Sequence, residues 1–362
     1  MQASETRCLI ESTNRKIGST LIILRNHGQP PFRVAIPSRD VTNCIVVISK
    51  VRLLLMLTLV AFASSCAPQT ILINYAKEGS EDSDTFGYRT WKRKGIEPDL
   101  VVIGIHGFCG ASLDYSNLGN HILMNQPKTA LYAYEVRGQG SDPIHARRGD
   151  IGDPAQWYTD LEAFTQLVKE RHPDAEIIWY GESMGALIAT HALDAAPPGK
   201  PPCDGLVLSS PIVRFKDDIE PWKIALVQIA STTIPLARVS LDAIAPEPDV
   251  QMTKQFKHLE QAQKNAYHVE KHTLRLLGTL GRLIDDMNLR AAEMKVPVLV
   301  LHGGKDYFND DADLRGFIAR IPYGVSKTYK NYPEAYHLLM YDEGRDRIFC
   351  DIERWLNRRR WD

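Results

Sequence analysis

The sequence predicts an α/β fold in which helices cover both faces of a mostly parallel sheet. Short apolar runs rich in β-branched residues alternate with segments of helical spacing from about residue 85 onward. One run, Leu100–Ile105, is apolar throughout, which is typical of a central strand that is covered on both faces. A serine between two glycines also follows one predicted strand and precedes a helix of small residues.

The predicted elements follow one another at the spacing of strand–helix units. Strands are predicted at 85–93, 100–105, 129–134, 177–180, 205–210, 298–302 and 326–329. A helix is predicted over 153–171, where Trp157, Leu161, Phe164 and Val168 share one face and Pro173 ends it. Two further helices are predicted over Met184–Ala195 and Arg345–Arg358.

The alternation of strands and helices is interrupted at residues 211–294, because this stretch is mostly helical in pattern and contains no convincing strand. We predict a helical cap there, between a first core segment at 85–210 and a second at 295–362. Its apolar residues either line a site beneath the cap or pack the cap's own core, and we expect packing for most of them. They are Trp222, Ile224, Ala225, Leu226 and Ile229 on one segment, and Leu274, Leu276, Leu277, Leu280 and Leu283 on another.

Composition excludes several broad classes. The 362 residues carry a net charge of −1, which gives no general attraction to nucleic acid. The six cysteines form no C-x-x-C pair, so the spacing of a zinc site is absent, and no metal is predicted. Charge is uneven, since residues 1–65 carry eight Lys/Arg and three acids, and the remainder is therefore acidic.

The N-terminal segment has the pattern of an export signal. Lys50 and Arg52 precede an 11-residue apolar run at 53–63, which is shorter than the ~20 residues that span a bilayer. We predict a signal peptide at 46–65, an upstream extension at 1–45 that arises from a translation start placed too early, and a linker at 66–84. A buried core helix and a plain membrane anchor remain alternatives for the apolar run.

The residues Ala63-Ser64-Ser65-Cys66 resemble the lipobox of bacterial lipoproteins, although Ala63 stands where leucine is usual. In that family the cysteine becomes the lipidated first residue of the mature chain. The resemblance implies lipidation at Cys66 and a protein anchored to a membrane of the bacterial cell envelope.

The motif Gly181-Glu182-Ser183-Met184-Gly185 has the context of a nucleophile elbow, with a strand before it and a small-residue helix after it. Glycines are needed at its two ends because the sharp turn leaves no room for side chains. The motif predicts Ser183 as a nucleophile, and an ordinary glycine-rich turn is the alternative interpretation.

Two loops supply partners for such a serine. His106-Gly107-Phe108 follows the strand at 100–105, so the backbone N–H groups of Phe108 and Met184 are the predicted oxyanion hole. Asp306 follows the strand at 298–302, and His337 lies 31 residues later. The order serine, aspartate, histidine is that of α/β hydrolases, and Asp306 is preferred as the acid over three neighbours, Asp310, Asp311 and Asp313.

Together these motifs resemble the monoacylglycerol lipase, lysophospholipase and serine aminopeptidase-like group of α/β hydrolases. The resemblance covers most of residues 85–358. Two positions depart from the family's pattern. Glu135-Val136-Arg137-Gly138-Gln139-Gly140 replaces the usual D-x-R-G-H-G, and Phe108 replaces a small residue and is expected to narrow the acyl pocket.

The resemblance implies an α/β-hydrolase fold and cleavage of a carboxylic ester of a fatty acyl chain, such as a monoacylglycerol or lysophospholipid, without a cofactor. The partners implied are an acyl ester substrate and, through Cys66, a membrane. A peptidase or a short-chain esterase on the same fold, and a non-catalytic envelope lipoprotein, are the alternatives.

Overall fold

A computed structural model describes residues 84–358, apart from 198, 217–219, 241–249, 258–259 and 261–264, together with four strands upstream. The chain divides into two compact units, Met1–Gln69 and Thr70–Asp362. The first unit contains an antiparallel sheet of three strands, β1 (Cys8–Leu9), β2 (Ser19–Leu24) and β3 (Phe32–Pro37). These strands lie in the range 1–45, where the sequence shows no clear periodicity, and β2 has the β-prone sequence STLIIL.

The second unit contains an eight-stranded sheet in which six neighbouring strands are parallel. Its strands are β4 (Leu72–Tyr75), β5 (Asp84–Trp91), β6 (Leu100–Ile105), β7 (Thr129–Tyr134), β8 (Glu176–Glu182), β9 (Gly205–Ser209), β12 (Val298–Gly303) and β13 (Lys327–Tyr332). The spatial order is β13-β12-β9-β8-β6-β7-β5-β4. Strand β5 pairs antiparallel with both β7 and β4, and the other pairings are parallel. The predicted α/β fold with a mostly parallel sheet is therefore confirmed.

One strand lies where a linker was expected. Strand β4 falls within 66–84, and its sequence LINY pairs with β5 in the register Leu72↔Gly87 to Tyr75↔Asp84. The short β-prone run pairs with β5 through its backbone and so forms the edge strand of the sheet. The prediction of a linker at these four residues was wrong.

Helices cover both faces of the sheet, as the strand pattern predicts. They are α1 (Ser116–Asn125), α2 (Ala155–Arg171), α3 (Met184–Ala195), α4 (Pro221–Thr233), α5 (Leu274–Ala291), α6 (Asp311–Arg320) and α7 (Arg345–Arg358). One core cluster buries the predicted apolar face of α2 together with residues of α3, α5 and α6. The other buries α1 and α7 against the opposite face, with Ile348, Ile352 and Trp355 of α7 inside as predicted. Burial of such large side chains stabilises a fold by about 1.5–3 kcal/mol each.

The cap range 211–294 contains α4, α5 and a ribbon of two short antiparallel strands, β10 (Arg238–Val239) and β11 (His272–Thr273). The sequence showed no convincing strand in this range, and the two strands of the ribbon are only two residues long each. The division of the chain at 211 and 294 itself stays a prediction.

The two apolar segments of the cap range behave differently. On α5, Leu276 and Leu283 are buried in the core cluster shared with α3. On α4, Trp222, Leu226 and Ile229 are 60%, 56% and 61% exposed, so they do not pack a core. Helix α4 instead meets α5 through Ser231, whose Cβ occupies the space that a side chain at position 278 would fill.

The carboxyl ends of the parallel strands bring distant parts of the chain together. Strands β6, β8, β9 and β12 are consecutive in space, so the loops that follow them share one edge of the sheet. These loops carry Phe108, Ser183, Ser210 and Asp306. Crevices at this edge are the usual ligand sites of open α/β sheets.

Candidate active site

Ser183 occupies a strained turn between β8 and α3. Its φ is 52° and its ψ is −115°, a backbone conformation that residues other than glycine rarely adopt. Two glycines make the turn possible. A Cβ at Gly181 would overlap the main chain of Gly185, and a Cβ at Gly185 would overlap the carbonyl of Ile105. Strain of this kind concentrates at functional sites, where surrounding contacts maintain it.

The loop after β6 lies directly against this serine. A Cβ at Gly107 would stand 3.3 Å from Ser183 Cβ and 3.9 Å from Ser183 Oγ, so a larger residue there would press against the serine side chain. His106 fixes the start of the loop. Its Nδ1 lies 3.0 Å from the carbonyl oxygen of Gly107, and its Nε2 accepts a hydrogen bond from the Val136 N–H at 2.9 Å. His106 therefore shapes this loop and has both ring nitrogens engaged.

His337 and Asp306 form a buried pair. Nδ1 of His337 lies 2.8 Å from Oδ2 of Asp306, and the two side chains are 1% and 2% exposed. The other carboxylate oxygen, Oδ1, accepts the Phe308 N–H at 2.8 Å, so both oxygens are held. The Phe308 ring packs edge-on against the His337 imidazole, with the two ring centroids 4.6 Å apart. A carboxylate bonded to Nδ1 leaves Nε2 as the nitrogen that can accept a proton.

Two consecutive residues at the end of β9 connect the serine to the histidine. The Ser209 carbonyl accepts the Ser183 N–H at 2.9 Å, and the Ser210 hydroxyl donates to the His337 carbonyl at 2.6 Å. Ser210 has a φ of 47°, and its N–H donates to the Leu301 carbonyl at 2.9 Å. The backbones of Ser183 and His337 are thus held from neighbouring points on one strand end.

The competing acids have other partners. Asp310 caps α6 by accepting the Asp313 N–H at 2.9 Å, and Asp313 also binds Arg214. Asp311 accepts hydrogen bonds from Tyr329, Asn331 and Arg315. The Arg315 guanidinium is the main cause that lowers the pKa of Asp311 to about 2. Among these four aspartates, Asp306 is the one whose carboxylate contacts His337 in the described part of the chain. Its catalytic role stays a prediction.

The predicted oxyanion donors lie on either side of the serine. Met184 begins α3, and the first N–H groups of a helix lack acceptors within the helix. Phe108 is the second residue of a tight turn closed by a 3.0 Å hydrogen bond from the Gly110 N–H to the Gly107 carbonyl. The third residue, Cys109, has a φ of 55°, which is the mark of a type II turn.

The unusual motif after β7 anchors this edge of the sheet. Glu135 accepts hydrogen bonds from the Ser112 backbone N–H at 3.0 Å and the Ser112 hydroxyl at 2.5 Å. Arg137 forms a buried bidentate pair with Asp160 at 2.7 Å for each bond. Gln139 accepts the Cys109 N–H at 3.0 Å, so the glutamine that replaces the family's histidine contacts the loop that carries Phe108.

Three buried groups near the site have shifted pKa values. Burial, reinforced by the charge of Asp114, raises the pKa of Glu182 to about 8. Burial raises the pKa of the Cys109 thiol to about 12. Burial, with a smaller contribution from the neighbouring His268 and Arg238 side chains, lowers the pKa of His272 to about 4. For Glu182 and His272, both shifts favour the neutral form of the side chain.

Sequence reasoning missed four residues beside the predicted oxyanion loop and nucleophile, namely Gln139, Glu182, Asn265 and His272. Glu182 was visible inside the motif, and a carboxyl at the end of an apolar strand was a usable signal of burial. Gln139, Asn265 and His272 contact Cys109 across sequence separations of 30, 156 and 163 residues. Local sequence patterns do not predict contacts at such separations.

The signal peptide at 46–65 and the lipidation site at Cys66 lie outside the described residues. Within the described part of the chain, no helix is both long and apolar enough to cross a membrane. The same residues include no group of three or more His, Cys, Asp or Glu placed to hold a metal ion.

The chain has relatives among known proteins. The family model described as "Serine aminopeptidase, S33" matches residues 96–344. A monoacylglycerol lipase from Mycolicibacterium smegmatis is 24% identical over 272 residues, which cover 74% of this chain and 91% of that protein. A monoglyceride lipase from Saccharomyces cerevisiae is 23% identical over 302 residues, covering 76% and 91%.

Solved structures share the fold. A soluble variant of the Saccharomyces cerevisiae monoglyceride lipase, in complex with a substrate analog, has a TM-score of 0.67 at 20% identity, with 80% of this chain and 95% of that chain covered. The Paleococcus ferrophilus monoacylglycerol lipase has a TM-score of 0.62 at 18% identity, with 75% and 98% covered. Because the family model matches more than half of the sequence, this chain belongs to the serine aminopeptidase S33 family of α/β hydrolases.

Proposed function

We propose that the protein is a serine hydrolase that cleaves carboxylic esters of fatty acyl chains through an acyl-enzyme on Ser183. The observation that carries the proposal is the buried 2.8 Å contact between His337 Nδ1 and Asp306 Oδ2 at the sheet edge that also holds the strained serine. A serine nucleophile, a histidine base and an aspartate that orients the histidine are the residues that catalyse acyl transfer in this fold.

His337 acts first as a base in this mechanism. A serine hydroxyl is a weak nucleophile, so the histidine's Nε2 accepts the Ser183 proton as Oγ attacks the carbonyl carbon of the ester. Asp306 holds the tautomer with the proton on Nδ1 and stabilises the imidazolium that forms. The imidazolium then gives its proton to the leaving alcohol, which leaves the acyl group on Ser183. Water activated by His337 releases the fatty acid in the second half of the reaction.

The N–H groups of Phe108 and Met184 are the proposed donors to the tetrahedral oxyanion. Met184 adds the positive end of the α3 dipole, which favours negative charge near the helix start. One well-placed donor of this kind is worth about 3–4 kcal/mol in transition-state stabilisation. The raised pKa of Glu182, the residue before Ser183, favours the neutral carboxyl and so limits negative charge next to the nucleophile.

A lipid substrate is favoured by the relatives and by the surface of the cap range. Two relatives are described as lipases of monoacylglycerols. Helix α4 presents Trp222, Leu226 and Ile229 to solvent, and Ile234 and Leu236 continue this apolar surface. Exposed apolar side chains clustered in this way suit contact with an acyl-lipid phase. We therefore place a monoacylglycerol or lysophospholipid ahead of a short-chain ester.

A peptidase is the second candidate, because the matching family model is described as a serine aminopeptidase. The two are separated by measuring kcat/KM for monoacylglycerols, lysophospholipids and nitrophenyl esters of increasing chain length beside aminoacyl amides. Preference for long-chain esters supports the proposal, and preference for aminoacyl amides contradicts it. No turnover of any of them, with no labelling of Ser183, supports a non-catalytic lipoprotein.

We also propose that the mature protein begins at a lipidated Cys66 and is held at a membrane of the bacterial cell envelope. The support is the basic, apolar and small-residue sequence that ends at this cysteine. An anchored hydrolase would meet its lipid substrate in the plane of the membrane.

A further inference from the structure

The turn that carries Phe108 is held at Cys109 by two side chains from distant parts of the chain. The first is Gln139, which is fully buried and whose Oε1 accepts the Cys109 N–H at 3.0 Å. This N–H belongs to the peptide group that joins Phe108 to Cys109. Since an amide oxygen accepts and an amide nitrogen donates, the bond also fixes which way the glutamine amide faces.

The second side chain is Asn265, which lies in the cap range. Its Nδ2 donates to the Cys109 carbonyl at 3.3 Å, while its Oδ1 accepts the Tyr267 N–H at 2.9 Å. The bond to Tyr267 determines the orientation of the asparagine amide, because only the oxygen can accept that hydrogen. Asn265 therefore presents a donor to the Cys109 carbonyl, and the cap range is connected directly to the turn.

The backbone of Cys109 needs such support. Its φ of 55° lies in the left-handed region, which glycine or asparagine usually occupies at this position of a type II turn. A residue held there persists only when its surroundings determine the conformation. Gln139 and Asn265 bind the two peptide groups on either side of the Cys109 Cα, and these contacts select the left-handed conformation.

Further contacts limit how far the turn can relax. The Phe108 ring packs against the His272 ring with centroids 4.4 Å apart, and Cys109 Sγ lies 3.4 Å from His272 Nε2. A Cβ at Gly140 would overlap the Gly110 carbonyl, so the backbone next to Gln139 is in direct contact with the end of the turn. The turn is thus enclosed by β11 on one side and by the loop after β7 on the other.

We infer that Gln139 and Asn265 are positioning residues for the oxyanion hole, and that they act by fixing the peptide groups of Cys109 so that the Phe108 N–H faces the reacting carbonyl. The inference rests on the proposed function, because it assumes that Phe108 supplies an oxyanion donor. Under this inference, the orientation of the Phe108 N–H depends in part on Asn265, a cap-range residue whose hydrogen bonds go to Cys109 and Tyr267.

Two substitutions test this with little change in shape. Gln139→Met keeps the length of the side chain but provides no acceptor for the Cys109 N–H. Asn265→Asp keeps the oxygen that accepts the Tyr267 N–H but replaces the donor to the Cys109 carbonyl with a second acceptor. Gln139→His provides a ring nitrogen that can accept the Cys109 N–H at a distance from the backbone similar to that of the glutamine oxygen. Gln166→Met, on the exposed face of α2, serves as the control for the methionine itself.

The readouts separate positioning from folding. For each full-length variant, kcat and KM are measured with a nitrophenyl ester, and inhibition is measured with an alkyl boronic acid, whose tetrahedral adduct places an oxygen in the oxyanion hole. We expect kcat to fall by about 10- to 100-fold for Gln139→Met and Asn265→Asp, since a displaced donor loses part of its effect. KM should change less than about threefold, boronic acid affinity should fall in parallel with kcat, and Gln139→His should recover most of the loss.

Urea unfolding shows that each variant is folded during the assay. A kcat within about twofold of the wild type for both Gln139→Met and Asn265→Asp would overturn the inference, as would a loss of kcat with unchanged boronic acid affinity. These outcomes can be told apart from failure of the proposed function. In that case the wild-type protein itself would neither turn over esters nor react with a fluorophosphonate at Ser183.

Discussion

Nδ1 of His337 lies 2.8 Å from Oδ2 of Asp306, and both side chains are almost completely buried. Replacing Asp306 with asparagine keeps the size of the side chain but removes the charge and permits the wrong imidazole tautomer. We expect kcat/KM for a nitrophenyl ester to fall by several orders of magnitude, since the same change lowers kcat by about 10⁴-fold in a well-studied serine protease. The fluorescence and far-UV circular dichroism of the variant should remain those of a folded protein.

The neighbouring aspartates provide the matched control. Asp310→Asn should leave activity within about twofold, because Asp310 serves as the cap of α6 and asparagine is an equally good cap. Asp311→Asn should lower stability rather than kcat, because its carboxylate binds Tyr329, Asn331 and Arg315. An active Asp306→Asn together with an inactive Asp310→Asn would show that the acid has been assigned to the wrong residue.

Glu182 should make stability depend on pH. Burial and the charge of Asp114 raise its pKa from 4.5 to about 8, so the folded protein holds this proton over a range in which the unfolded chain has released it. The contribution to stability is therefore complete below about pH 4.5 and is lost as pH rises towards 8. Glu182→Gln, which stays neutral, should gain stability relative to the wild type as pH increases, up to a limit of about 5 kcal/mol.

This change is measured by urea unfolding of the wild type and Glu182→Gln at pH 5, 7 and 8.5. The difference in free energy of unfolding should be small at pH 5 and largest at pH 8.5. A difference that is the same at all three pH values would show that Glu182 does not titrate in the expected window.

Gly185→Ala should damage the elbow, because the added Cβ would overlap the Ile105 carbonyl and lie 3.0 Å from the His106 carbonyl. Overpacking of this kind usually costs about 1–3 kcal/mol, and here the displaced atoms are backbone. We expect at least about 2 kcal/mol of lost stability by urea unfolding and a large loss of activity. Gly324→Ala is the control, since nothing lies within 4 Å of its Cβ and stability should change little. Equal stability of both variants would argue against a crowded turn.

Cys66 should be the first residue of the mature chain. Intact mass spectrometry of protein extracted from membranes is expected to show a product that begins at Cys66 and carries added acyl mass. Several acyl chains hold a protein firmly in a bilayer, so high salt should not release it. A salt-soluble product that retains residues 1–65 would contradict lipidation.

The elbow was predictable because its evidence is local. Within about 20 residues the sequence has an apolar strand, glycines on either side of Ser183 and a helix of small residues, and these features determine one another through sterics. The order of strands and helices was predictable for the same reason, since apolar periodicity reports directly on burial.

Contacts between residues far apart in the sequence could not be predicted, because they depend on how the whole chain packs. The sequence favoured Asp306 over Asp310, Asp311 and Asp313 because of its place at a strand end, but it could not show which carboxylate contacts His337. That contact depends on where the histidine loop lies in the fold. Helical periodicity on α4 and α5 showed which residues share a face but not what that face contacts. As a result, Trp222 proved to be exposed and Leu276 to belong to the main core.

The most direct test of the account is covalent labelling of Ser183. The wild-type protein should react with an alkyl fluorophosphonate to one equivalent, with the added mass on the tryptic peptide that contains Ser183 and a parallel loss of esterase activity. Ser183→Ala should fold normally, take up no label and have no activity above background. Labelling at another residue, or ester turnover by Ser183→Ala at a rate near that of the wild type, would contradict the assignment of Ser183 as the nucleophile.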